Sequence, residues 1–479
     1  MSNIISYTLS MRIKDDENWP DSDQYANRSV SGAFLLDDSN PQRHILDIGR
    51  CGGEVRIEAG FDFSRTTNGA VAIVGNLKLY EGESEDSGDL DGTESVNDSV
   101  AANRSTTLTK RVNNTADADG GDWADITLTV RNSLLSPTDA CSNIDAKAQI
   151  LGLSFTGLAE SGCEAVRGGH RRRYQNCDIY YSPTTGAHEV HGEIRSKYNA
   201  KGGPDSDLLL PITDETPTPM PDTRGRYNHF SGNGSIYWHP HTGPMEVRGE
   251  IRRVWATRGW ERSGLGYPTS DEMHIQQRPN QWFSDFQNGV LFWEESAEKE
   301  PATAILPRAK VLAALDSAFR RRVTDRRVDI QSVSIAGVSA TGYDFWRSRN
   351  RSITFRITGE ILSGSFLIPD PDWWVEMFLK LEATPMPNAR QTVAVQIVKA
   401  DTPRIHVEGI ASRTIFNEIS AAIDRNFSAP IKLADIPAEA GLLSVKVMPD
   451  GGIKLFFRPD PAGSFAAFTA QGTLDRLEI

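Results

Sequence analysis

The chain has 479 residues, 38% of them hydrophobic and 24% charged, with a formal net charge of −13. That length points to about three domains, because single cores stop growing beyond roughly 250 residues, and the acidic balance argues against nucleic acid, whose phosphates need clustered Lys and Arg. No apolar run approaches the roughly 20 residues of a spanning helix, so no transmembrane segment is expected.

Met1 to Tyr7 shows no basic segment followed by an apolar stretch. No signal peptide is therefore expected. The chain reads as cytoplasmic as synthesised, reaching a cell surface by a non-classical route, by lysis or within an assembly.

Residues 1–135 read as an all-β sandwich. Val55, Ile57, Ala59, Phe61 and Phe63 alternate with polar neighbours, as do Ile126, Leu128 and Val130, a period of two that puts one set on a buried face. Val71–Val74 and Leu77–Tyr80 add strands. Residues 81–98 hold Glu81, Glu83, Glu85, Asp86, Asp89, Asp91, Glu94 and Asp98. So dense a charge predicts a mobile acidic loop, with Ca2+ as the one cofactor its carboxylates suggest. Asp117-Ala118-Asp119-Gly120 fails as a calcium loop, because Leu128 stands where the closing glutamate belongs. Cys51, Cys141, Cys163 and Cys177 lack C-x-x-C spacing and read as buried free thiols. Residues 136–165 read as a connector.

Residues 166–302 contain a duplication, 172–215 and 224–272, with a fixed offset of 57 from Ile179/Ile236 to Glu215/Glu272. Asp178-Ile179-Tyr180-Tyr181 and Ser235-Ile236-Tyr237-Trp238 read as aromatic strands, each followed by a Pro/Gly turn, a return strand and a short helix. Arg173-Tyr174 pairs in this reading with Arg226-Tyr227. Phe286 to Trp293 is a partial third copy that caps the stack. The copies close on Asp214-Glu215 and Asp271-Glu272, read as turn or capping residues.

Residues 303–479 read as an α+β domain with antiparallel sheet. Val311, Leu312, Leu315 and Phe319 mark one helix, and Ile415, Ile419 and Ile423 a second. A closing hairpin turns at Pro449 to Gly452. The late helix and hairpin are similar in pattern to tubular lipid-binding modules.

Leu265-Gly266-Tyr267-Pro268-Thr269-Ser270-Asp271-Glu272, after Gly234 to Trp238 and Thr242-Gly243, resembles the LGFP repeat. That resemblance covers residues 166–295. It implies attachment to the cell envelope through its glycans, as in wall-associated proteins of mycolate-bearing actinobacteria. The first copy departs from it, with Leu208-Leu209-Leu210-Pro211 in place of the tetrapeptide.

No catalytic motif emerges. His188 and His191 are three apart in a hairpin, not i and i+4 on a helix, and the second copy lacks both. Gly152 to Gly157 has the wrong spacing for a nucleophile elbow. The expectation is a non-enzymatic protein binding wall glycan through rings and turn histidines: Tyr180, Tyr181, Tyr237, Trp238, His239, His241, Trp282 and Trp293. The alternative is a component of a toxin or phage-like contractile assembly, its repeats addressing a cell surface. Its C-terminal domain would then bind lipid or partner subunits through Phe366-Leu367-Ile368 and Trp373-Trp374. An enzyme carrying a wall-targeting module stands third.

Overall fold

The computed structural model describes residues 2–16, 22–82, 84, 86–116, 121–275, 278, 280–322, 328–339, 352–362, 372–382, 393–399, 403–407, 417, 420–421 and 430–459. The expected helix through Ile415, Ile419 and Ile423, the Phe366-Leu367-Ile368 segment and Asp117 to Gly120 lie outside them. The chain divides into two compact units, Met1–Val190 and His191–Ile479, with the division inside the first repeat.

The first unit opens with β1 (Ser2–Asp15), β2 (Gln24–Leu36), β3 (Gln42–Cys51), β4 (Val55–Arg65), β5 (Val71–Tyr80), β6 (Leu90–Val100), β7 (Arg104–Asn113) and β8 (Trp123–Leu135). They form two antiparallel sheets, β2-β1-β8-β7 and β3-β4-β5-β6. Their alternating apolar residues share one core: Ile5, Leu9, Met11 and Ile13 of β1 meet Ile57, Phe61 and Phe63 of β4 and Ile126, Leu128 and Val130 of β8. Each such side chain contributes roughly 1.5–3 kcal/mol on burial. This is the expected sandwich.

The acidic loop is shorter than expected. Residues 90–98 belong to β6, paired along β5, with Val96 and Val100 turned into the core. Two valines four residues apart suffice to seat an edge strand that the surrounding charge disguises. Of its carboxylates, Asp86 meets Arg50 at 3.0 Å, Asp89 accepts from Ser87 Oγ at 3.1 Å, and Asp91 accepts from the Glu81 N–H at 2.9 Å.

The connector holds a helix, α1 (Ala140–Leu151), capped by Asp139, which accepts from the Ser142 N–H at 3.0 Å, and a short turn of helix, α2 (Leu153–Thr156). Cys141 and Cys163 form a disulfide, correcting the free-thiol reading; Cys51 and Cys177 are buried thiols. Then β9 (Glu164–Val166), β10 (Gly169–Arg173), β11 (Cys177–Ser182) and β12 (Gly186–His191) form a sheet in sequence order. α1 packs on β10 and β11, with Ile144 against Tyr174, Ile179 and Tyr181.

The second unit begins with α3 (Gly192–Ala200) and continues through β13 (Thr216–Pro217), β14 (Arg226–Phe230), β15 (Gly234–His239), β16 (Gly243–Arg248), α4 (Gly249–Thr257), β17 (Met273–His274), β18 (Gln281–Asp285), β19 (Val290–Glu294) and β20 (Ala297–Lys299). Each copy is thus a four-stranded sheet rather than a hairpin. Each helix lies on the sheet that follows it. Tyr198 of α3 meets Phe230 of β14 at 4.7 Å, and Trp255 of α4 meets Phe286 beside β18 at 5.3 Å. α1 stands in the same relation to β10 and β11.

The C-terminal part comprises β21 (Ala302–Leu306), α5 (Arg308–Arg322), β22 (Val328–Ser339), β23 (Ser352–Ile361), β24 (Asp372–Glu382), β25 (Val393–Lys399), β26 (Arg404–Val407), β27 (Ile431–Ile436), β28 (Leu442–Val447) and β29 (Ile453–Phe457). The sheet β22-β23-β24-β25-β27, with β26 on β24, and the sheet β21-β29-β28 share one core with Val311, Leu315 and Phe319 of α5. Trp373-Trp374 forms no membrane-facing loop: both sit in β24, Trp373 buried and Trp374 stacked on His406 at 5.5 Å. Lys446 of β28 ties this part to the third repeat through Asp285 at 2.7 Å.

Candidate functional site

The repeat is organised by a tetrapeptide that occurs three times: Thr156-Gly157-Leu158-Ala159, Leu208-Leu209-Leu210-Pro211 and Leu265-Gly266-Tyr267-Pro268. Its last residue bridges an aromatic in each case: Ala159 to Tyr174, Pro211 to Phe230 and Pro268 to Phe286. The two turn residues after that aromatic donate back to the third and first carbonyls of the tetrapeptide, as Gln175 to Leu158, Asn176 to Thr156, Gln287 to Tyr267 and Asn288 to Leu265. Gln175 and Gln287 also accept from the Leu158 and Tyr267 N–H groups at 3.0 Å, while Ser231 Oγ serves Leu210 at 3.2 Å. The second residue has φ of +68° at Gly157, +57° at Leu209 and +71° at Gly266, a region costly for side chains other than glycine.

These clips set a register that differs from the sequence reading. Tyr174 is the partner of Phe230 and Phe286, not of Tyr227. Opposite Tyr180, Tyr237 and Phe292 stand Arg171, Tyr227 and Phe283.

Most rings expected to stack on sugar are interior. Tyr180 is 1% exposed, Tyr181 5%, Tyr237 2%, His239 1% and Trp293 9%. Tyr181 packs under α1 and its hydroxyl donates to the Pro137 carbonyl at 2.9 Å. In β15, which contacts both α3 and α4, alternation holds: Tyr237 is interior and its neighbour Trp238 half-buried, whereas in β11 both Tyr180 and Tyr181 are interior. Trp238, Trp282 and His241 remain half-buried.

His239 is a structural histidine. Its Nδ1 accepts from the His241 N–H at 3.1 Å, so its Nε2–H donates to Asp222 Oδ2 at 3.0 Å. Burial lowers its pKa, while the Arg224 guanidinium, above all, holds the Asp222 carboxyl well below the usual range. Tyr267 stacks on it at 4.4 Å.

The second copy carries a ring cluster that the strand pattern did not disclose. Tyr227, His229 and Trp260 are half-buried and lean on buried Tyr237 and Trp255. Tyr227 stacks on Tyr237 at 5.1 Å and meets His229 at 4.8 Å; His229 meets Trp260 at 5.4 Å. Arg252 of α4 lies 5.2 Å over the Trp260 ring, with Nε donating to Ser235 Oγ at 2.6 Å and Nη1 to Asn233 Oδ1 at 3.1 Å. Burial lowers its pKa and no carboxylate among the described residues offsets it. His229, desolvated beside that cation, is pushed down to about 4 and is neutral above that pH.

The closing acids work as a clasp between copies rather than as caps. Asp271 accepts from the Glu246 N–H at 3.0 Å and pairs with Lys197 of α3 at 2.8 Å; Lys201 pairs with Glu246 and, at 3.3 Å, with Asp271. Glu272 meets Arg248 at 3.5 Å, yet burial pushes its pKa up to about 7. In the first copy Glu215 meets His191 at 3.2 Å. Among the described residues no group of three His, Cys, Asp or Glu is placed to hold a metal ion.

A comparison with protein families matches the LGFP repeat at residues 158–206 and 208–263. Both matches begin at or inside a tetrapeptide. The chain therefore contains two LGFP repeats, which point to a cell-envelope-associated repeat protein. No curated protein matches it. Among solved structures, the Salmonella SPI-1 type III secretion injectisome secretin InvG in its open gate state is similar at 9% identity and a TM-score of 0.15. It covers 32% of this chain and 64%, under two thirds, of that chain. A likeness so slight carries no argument.

Proposed function

From the LGFP repeats at residues 158–206 and 208–263, we propose that this protein attaches non-covalently to cell-envelope glycan and performs no chemistry on it. The observation that carries the reading is the family match on a region whose second copy keeps half-buried rings beside hydrogen-bond donors. Aromatic faces stack on the apolar faces of sugars while neighbouring donors bind hydroxyl groups. Asp271 and Glu272, adjacent acids of the second copy, are engaged by Lys197, Lys201 and Arg248, which supports attachment over catalysis.

Sedimentation of the purified full chain with insoluble mycolate-bearing cell walls tests it. Retention above that on cellulose, reversed by soluble wall fragments, is the expected result. An unbound fraction equal to the cellulose control refutes the reading.

A further inference from the structure

Arg252 uses its Nε on Ser235 Oγ and its Nη1 on Asn233, and Nη2 has no acceptor among the described residues while remaining open to solvent. The guanidinium only donates, so Ser235 Oγ accepts from it. The serine is fully buried and its hydroxyl hydrogen has one acceptor within reach, His229 Nδ1 at 2.7 Å. That fixes the neutral His229 tautomer with its proton on Nε2, which also has no partner among the described residues. Two donors are thereby aligned through one buried hydroxyl and flanked by the Trp260 and Tyr227 rings. One belongs to a cation with no carboxylate paired to it among the described residues, whereas its neighbours Arg248 and Arg253 are both paired with carboxylates.

We propose that this cluster is a saccharide subsite for an anionic sugar, its carboxylate or phosphate oxygen received by Arg252 Nη2–H and His229 Nε2–H and its ring seated against Trp260. The subsite rests on the glycan-attachment reading and narrows it to one copy and one ligand class. Copy one has Asp178 where Ser235 stands, Arg171 for Tyr227 and Gly203 for Trp260. It lacks both the serine hydroxyl that links the two donors and the ring platform. Copy three has Val290, Phe283 and Asp285 at the positions of Ser235, Tyr227 and His229, with Asp285 held by Lys446. An oxyanion meeting an uncompensated guanidinium gains a charge-assisted bond of the stronger kind.

Titration calorimetry of the full chain at low salt with methyl glucuronide, glucose 6-phosphate and methyl glucoside reads the preference directly. At least one anionic ligand should bind roughly tenfold or more tightly than the neutral glucoside, and which one does so separates carboxylate from phosphate. Arg252→Gln should erase that difference, and Trp260→Ala should weaken all three. Circular dichroism and melting confirm that both variants fold; if Trp260→Ala does not, Trp260→Phe with an intermediate loss replaces it. Equal binding of charged and neutral sugars, or a preference that survives Arg252→Gln, overturns the subsite. Wall retention separates the two readings: if wild type sediments with walls and Arg252→Gln does so equally, the subsite alone falls, whereas wild type that stays unbound removes the glycan reading itself.

Discussion

Gly266→Ala is the sharpest test of how the repeat is built. At φ +71° an alanine pays about 1–2 kcal/mol for the left-handed backbone, partly offset by about 0.5–1 kcal/mol of chain entropy that glycine loses on folding. The new Cβ lies 2.5 Å from Gln287 Oε1, so the side chain must swing away and the Tyr267 N–H loses its acceptor. An unsatisfied buried donor costs about 1–3 kcal/mol, giving a net loss on the order of 2–3 kcal/mol. Hydrogen exchange of the full chain, followed by mass spectrometry on a peptide spanning residues 263–270, reads this locally, which suits a multidomain protein without a single unfolding transition. Protection should fall roughly 30- to 150-fold, and adding Gln287→Ser should restore part of it, as Ser231 makes room for Leu209. A fall below threefold, or no rescue, refutes the clip.

The same logic gives Leu209→Gly the opposite sign: exchange in residues 206–212 should slow by the equivalent of about 0.5–1 kcal/mol. Burial raises Glu272 to about 7, so the folded clasp binds a proton that the unfolded chain releases near pH 4.5, and its stability falls as pH rises between those values. Glu272→Gln should therefore slow exchange at residues 243–248 at pH 8, on the order of 1–2 kcal/mol, with little change at pH 4.5; an equal effect at both pH values contradicts the assignment. Cys141→Ser with Cys163→Ser opens a loop of 22 residues and should cost about 3 kcal/mol, seen as faster exchange in residues 140–151. Trp255→Ala, which empties a fully buried site between two copies, should cost about 3–5 kcal/mol and expose Phe286, detected by dye binding.

The sandwich was legible because its sheets are buried on one face, so Val55 to Phe63 keep a clean period of two. The repeats were legible as a duplication and not as a surface. Tyr180-Tyr181 and Tyr237-Trp238 read alike in the sequence, but Tyr181 is packed under α1 while Trp238 stays half-buried, a difference set by tertiary packing. Trp260 lies beyond α4, at φ +59°, in a segment without strand or helix periodicity, so nothing local marked it or its link to Arg252. Cys141 and Cys163 pair across 22 residues without a recognisable spacing. The first tetrapeptide, Thr156 to Ala159, is hidden in the sequence because only its glycine matches the motif.

Since every helix shelters its successor's sheet, a fragment cut at the ends of a sequence repeat carries one roof too many and one too few. Severing the chain near residue 207 strips the α3 cover from the next sheet and bares Phe230. Dividing the chain at the junction of β12 and α3 instead keeps each helix with the sheet it covers.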